Sequence, residues 1–218
     1  MQREKEKHMV LIHGGGHGAW CWYKVAALLQ SSGHRVTALD MAASGIHPKQ
    51  AEELNSISEY YEPLMEFLES LDAEERVILV GHSLGWIGMA LAMESFPEKI
   101  AAAVFVSTLM PSPYLSLFTL SQEDLALALS LLRPTRIFGD EEMSEENARL
   151  TEEKYGSVKR VYIMCEQDNL FKPEVQLSMI ERSPPNDVKV IAGADHMPMF
   201  SKPQEFFSHL QEIANTYY

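Results

Sequence analysis

Six short apolar runs punctuate the chain, at residues 9–12, 35–39, 77–80, 102–106, 160–164 and 188–191. Read as continuous rather than alternating, they suit strands covered on both faces. Helical patterns lie between them. Trp22, Val25, Leu28 and Leu29 share one face, and Gly33 supplies the stop. Tyr61, Leu64, Met65 and Leu68 form a second face, and residues 84–95 a third helix that Pro97 ends. The last helix opens with Pro203 in a first-turn position and continues through Phe206, Phe207 and Leu210. Strand and helix in alternation predict an α/β fold: a mostly parallel sheet of about six strands with helices on both faces.

The 218 residues fit one domain, 1–218. One stretch breaks the rhythm, because more than fifty residues separate the runs at 102–106 and 160–164. Ser121-Gln122-Glu123-Asp124 resembles a capping box and predicts a helix through Leu132; an acidic helix is expected over 144–154. This is an insertion over one end of the sheet, with a residual cap at 111–145. Acidic residues outnumber basic ones 31 to 18, giving a formal charge of −13. Such a surface repels nucleic acid and anionic membranes. Cys21 and Cys165 cannot form a disulfide framework, which fits a reducing compartment. No apolar run reaches spanning length, so a cytoplasmic protein is expected.

The sharpest local signal is Gly81-His82-Ser83-Leu84-Gly85, which follows an apolar strand and opens a helix. That is the context of a G-x-S-x-G nucleophile elbow. The glycines two residues either side of the serine let strand and helix pass closely, and the sharp turn lifts the hydroxyl off the sheet edge. A nucleophilic serine needs a base, and the base an orienting acid. Asp168 follows the fifth run and His196 the sixth, in the chain order the elbow fold uses. His196 is therefore the expected base and Asp168 its orienter. Glu166 and Asp195 are rival carboxylates, with Asp195 the poorer because adjacent loop residues rarely face the same way. His82 is expected to pack or bond locally. An oxyanion hole would use the backbone N–H groups of Leu84 and Gly15, the latter in the loop His13-Gly14-Gly15-Gly16-His17-Gly18.

Other chemistries compete for the same residues. Gly14, Gly16 and Ala19, with Asp40 ending the second run, match a relaxed dinucleotide fingerprint. That reading leaves Ser83 and His196 unused. His13 and His17 have the spacing of a helical zinc pair, but glycines between them oppose a helix, so no metal is expected. Cys165 reads as core or pocket wall rather than nucleophile. Met110, Met164, Met197 and Met199 lie near strand ends and could line an acyl pocket or fill the core.

Several longer stretches carry a resemblance. They include Val10-Leu11-Ile12-His13-Gly14, His17-Gly18-Ala19-Trp20, residues 33–40, Ala42-Ala43-Ser44-Gly45-Ile46 and Glu62-Pro63-Leu64-Met65. Residues 77–83, 123–128 and 155–160 and Ala194-Asp195-His196-Met197 complete the set. Over nearly its whole length the chain resembles the plant methylesterase family of α/β-hydrolases, the group of salicylate methylesterase, polyneuridine aldehyde esterase and the hydroxynitrile lyases. The resemblance implies cofactor-free hydrolysis of methyl or other small esters of small apolar acids such as salicylate, jasmonate or indole-acetate. It implies Ser83, Asp168 and His196 as the triad, with Gly15 and Leu84 as oxyanion donors. Substrate contacts are expected from His17, Trp86, Leu109, Met110 and Met197. The partner is a small-molecule ester, with no nucleic acid or membrane; a homodimer stays open. The lyase branch has threonine at the place of Gly14 and lysine at that of Met197, so the esterase branch fits better. A hydrolase fold retained for binding alone is the other alternative. Two departures stand out. Trp86 replaces a glycine of the family pattern, and most of the cap between Pro113 and Leu117 is missing.

Overall fold

The computed structural model describes residues 6–111 and 150–218. Its strands are β1 (His8–Ile12), β2 (Arg35–Leu39), β3 (Val77–His82), β4 (Ile100–Val106), β5 (Arg160–Cys165) and β6 (Asp187–Ile191). The helices are α1 (Tyr23–Ser31), α2 (Ile57–Ser70), α3 (Trp86–Ser95), α4 (Pro173–Arg182), α5 (Pro198–Ser201) and α6 (Pro203–Tyr217). All six strands are parallel, in the order β2-β1-β3-β4-β5-β6. Successive strands first step one way from β1 and then, from β3 on, the other. The carboxyl ends of β1 and β3 therefore flank a topological switch point, where open α/β sheets place their ligands.

Alternate side chains of the central strands feed two cores. Val10, Ile12, Leu79, Ala103, Phe105 and Tyr162 face α2 and α3. Met9, Leu11, Ile78, Val80, Val104 and Ile163 face α1 and α6. Both sides being apolar is what makes these strands read as unbroken runs. The two edge strands differ from that expectation. β2 is only partly buried, and β6 exposes Val188 and Val190 while Lys189 pairs with Asp187 and Glu212 of α6. Burial alternates along β6, with the two valines outward, whereas most of β2 is half-buried throughout.

Helix α3 has buried residues all round, from Trp86 to Met93, and forms the central element behind the site. The pattern at 61–68 lies within α2, whose N-cap Ser56 accepts a bond from the Glu59 amide at 3.1 Å. Pro203 opens α6 as expected. The helix expected at 121–132 lies outside the described residues, as does the cap region from residue 112 on. The acidic helix expected over 144–154 is contradicted where it is described. Residues 150–151 are irregular, and 152–154 form a turn leading to a 3₁₀ turn at Tyr155–Ser157. Glu94 of α3 takes the amides of Thr151 (2.9 Å) and Tyr155 (3.3 Å) and the Thr151 hydroxyl (2.9 Å), diverting them from helical carbonyls. No described helix is long and apolar enough to cross a membrane.

Candidate active site

Strand β3 runs two residues further than its apolar pattern, through Gly81 and His82, and Ser83 follows at once with φ +50°. A serine in the left-handed region is strained and is found where a site demands it. Close approach explains the flanking glycines. A Cβ at Gly81 would lie 2.0 Å from the Met89 sulfur, and one at Gly85 3.0 Å from the Ile12 carbonyl oxygen. The helix beginning beyond Ser83 leaves its first amides, that of Leu84 among them, without partners within the helix.

Asp168 lies beyond β5 and His196 beyond β6. Nδ1–H of His196 donates to Asp168 Oδ2 at 2.8 Å. The other carboxylate oxygen accepts the amides of Leu170 (2.7 Å) and Phe171 (2.9 Å). Asp168 has a fully buried side chain, and these three bonds satisfy it. They also fix the tautomer of His196, leaving Nε2 unprotonated and able to accept a proton. The rival carboxylates are engaged elsewhere. Asp195 Oδ1 accepts from the Met197 amide (2.9 Å) and the Ser201 hydroxyl (2.7 Å), and Glu166 from the Gly193 amide (2.9 Å). No hydrogen bond joins Ser83 Oγ to His196 among the described residues, a looseness common before substrate binds.

The glycine loop after β1 closes with the His17 amide on the Gly14 carbonyl at 3.3 Å, and Gly16 takes φ +71° as a type II turn requires. Gly15 is buried, and its amide makes no hydrogen bond among the described residues. Gly14 touches the elbow directly, since a Cβ there would fall 2.8 Å from Ser83 Cβ. The dinucleotide reading fails on Asp40. Its carboxylate accepts the Ala19 (2.6 Å) and Ile46 (3.2 Å) amides and so ties two loops together. His13 Nε2 accepts the Met41 amide at 3.1 Å, and burial lowers its pKa; its lone pair is thus committed. Burial pushes the Cys165 thiol up to about 12, which suits packing and not nucleophilic attack.

Among the expected substrate contacts, His17 stacks on Trp20 and is half-buried, as is Met197. Trp86, Leu109 and Met110 are interior, at 1%, 2% and 0% exposure, within the core on the α2–α3 side. Met164 and Met199 are core residues. Three supporting residues escape sequence reasoning. Tyr61 of α2 donates its hydroxyl to the Leu84 carbonyl at 2.8 Å. The Thr108 hydroxyl donates to the Ser83 carbonyl. His82 reaches far beyond its neighbours, since its Nε2 lies 2.7 Å from the carbonyl oxygen of His196. A carbonyl only accepts, so Nε2 carries the proton. Nδ1 is then a bare, buried acceptor, with no partner among the described residues. Such an orphan costs about 1–3 kcal/mol. Burial, and then the neighbouring His196, push the pKa of His82 well below the ordinary imidazole value, so the ring is neutral.

The sequence matches the alpha/beta hydrolase family over residues 9–209. It is 46% identical to methyl jasmonate esterase 1 of Vitis vinifera over an aligned span of 259 residues, covering 98% of this chain and 99% of that one. It is 41% identical to methylesterase 10 of Arabidopsis thaliana, covering 100% and 95%. An aligned span of 259 exceeds the 218 residues present, so the grapevine protein carries residues with no counterpart here. Among solved structures, tomato methylketone synthase I with 2-tridecanone superimposes with a TM-score of 0.89 at 43% identity, covering 99% and 100% of the two chains. Polyneuridine aldehyde esterase does so with 0.86 at 37%, covering 96% and 99%. The chain belongs to the plant methylesterase family of the α/β-hydrolases.

Proposed function

We propose that this carboxylic ester hydrolase cleaves methyl and other small esters of small apolar acids, of the salicylate, jasmonate or indole-acetate kind, through an acyl-Ser83 intermediate. The observation that carries the reading is the His196–Asp168 bond, at 2.8 Å, on loops converging on the strained Ser83 elbow. His196 Nε2 takes the Ser83 proton as Oγ attacks the ester carbonyl. The Gly15 and Leu84 amides receive the developing oxyanion. The imidazolium, held by Asp168, then protonates the departing alkoxide. Water, deprotonated by the same nitrogen, releases the acid and restores Ser83. In this reading the half-buried His17 and Met197 contact the ester, while Trp86, Leu109 and Met110, packed in the core, back the site. The residues lacking here relative to the grapevine protein belong, in this reading, to the cap around 111–145.

A methyl-ester panel assayed beside an organophosphonate serine probe tests the proposal. Ser83→Ala is expected to abolish both turnover of an activated aryl ester and labelling, with unchanged melting temperature. Full activity in that variant overturns it. Ligand binding without labelling of the unmodified protein favours a binding role, and cyanide release from mandelonitrile above background favours the lyase.

A further inference from the structure

The loop carrying the catalytic base is held from two sides. Asp168 holds the His196 ring through Nδ1. The backbone of the same residue is held separately, by a side chain adjoining the nucleophile. His82 Nε2–H donates to the His196 carbonyl at 2.7 Å, and the two rings lie 4.7 Å apart. His82 is 1% exposed, and Trp22 presents an edge-on ring to it at 6.4 Å. Its other nitrogen abuts the oxyanion loop, since a Cβ at Gly14 would sit 3.0 Å from Nδ1. One ring therefore touches the elbow, the base and the oxyanion loop.

We propose that His82 is a positioning residue for ester hydrolysis: its Nε2–H···O=C bond to His196 sets the reach of the base toward Ser83. The proposal rests on Ser83 and His196 acting as nucleophile and base. The bond spans 114 residues of sequence and joins the residue before the nucleophile to the base itself. Such a link fixes the separation of two loops that share no strand pairing, because β3 and β6 are separated in the sheet by β4 and β5. A structural filler of the same volume would hold the core but would let the base loop drift. Drift of the base changes the chemical step more than substrate binding, since misplacement by about 1 Å can cost about 100-fold in rate.

Three substitutions separate the donor from the ring. Glutamine places an amide N–H near the position of Nε2, asparagine places one near Nδ1, and phenylalanine keeps the ring without a donor. His82→Phe and His82→Asn are expected to lower kcat on an activated aryl ester by about 10- to 100-fold, with KM unchanged and slower phosphonate labelling of Ser83. His82→Gln is expected to recover most of the lost kcat. Melting temperatures are measured for all three; should the phenylalanine variant fail to fold, the glutamine–asparagine contrast carries the test alone. A folded His82→Phe or His82→Asn with full kcat overturns the proposal, as does a His82→Gln that loses as much as His82→Asn. Ser83→Ala is the control. An active Ser83→Ala overturns the triad, whereas an inert Ser83→Ala beside fully active His82 variants overturns the positioning role alone.

Discussion

Asp168 is the residue whose removal most cleanly reports the arrangement of the site. Its two oxygens serve different partners, one the base and the other the Leu170 and Phe171 amides. Asp168→Asn keeps the shape but can present an N–H to the base and spoil its tautomer, so kcat should fall by about 10³- to 10⁴-fold. Asp195→Asn, whose partners are the Met197 amide and Ser201, should lose far less. Steady-state kinetics on the two variants would invert that order if the base were oriented by Asp195 instead. At this scale the sequence was readable where backbone geometry demands a particular residue type. Ser83 announces itself because its turn requires glycine on either side. Asp168 could be narrowed only to a short acidic loop, since Glu166 stands two positions away. His82 was hidden because its partner is a backbone carbonyl, and any residue type supplies one.

The elements pack by the same close contacts that place the elbow. Gly81→Ala should destabilise the protein by about 1–3 kcal/mol, because the new methyl meets the Met89 side chain on α3. Met89 is flexible and buried, so shortening it should relieve that clash. A double-mutant cycle in urea with Met89→Ala should therefore show coupling between the two sites; strict additivity would mean the strand, not α3, is what resists. On the other face, Leu210→Ala in α6 should cost about 2–5 kcal/mol, read from the same denaturation curves. Helices with clean apolar faces, such as α2 and α6, were legible from spacing. Helix α4 was not, although Pro173 opens it. Gln176 sits on its buried face, where its amide bonds both backbone groups of Cys165 and the Phe171 carbonyl. A polar residue inside the stripe breaks the periodicity that spacing detects. The two Val residues of β6 misled in the opposite sense, being apolar yet exposed.

Across the whole molecule, buried neutral histidines tie stability to pH. Desolvation lowers the pKa of both His13 and His82 below the ordinary 6.5. Well above pH 6.5 neither the folded nor the unfolded chain protonates them appreciably, and their full contribution is present. As pH falls below that value the unfolded chain takes up protons that the fold refuses, so stability is lost, by up to about 1.4 kcal/mol per pH unit for each histidine. The melting temperature should therefore drop between pH 7.5 and pH 5.5; a rise over that interval would show that these rings accept protons without cost. The sheet order was not legible, because apolar runs specify strands but not their neighbours. It has a consequence for how this enzyme fails. The nucleophile grows from β3, in the middle of the sheet, while the base hangs from the loop after β6, a strand that among the described strands pairs with β5 alone. An edge strand is the first to peel away on warming. Catalysis should accordingly fade ahead of the bulk melt, through a reversible fraying that carries His196 off while Ser83 stays seated. Amide exchange in β6 and loss of turnover should then rise together with temperature, before the far-ultraviolet signal moves.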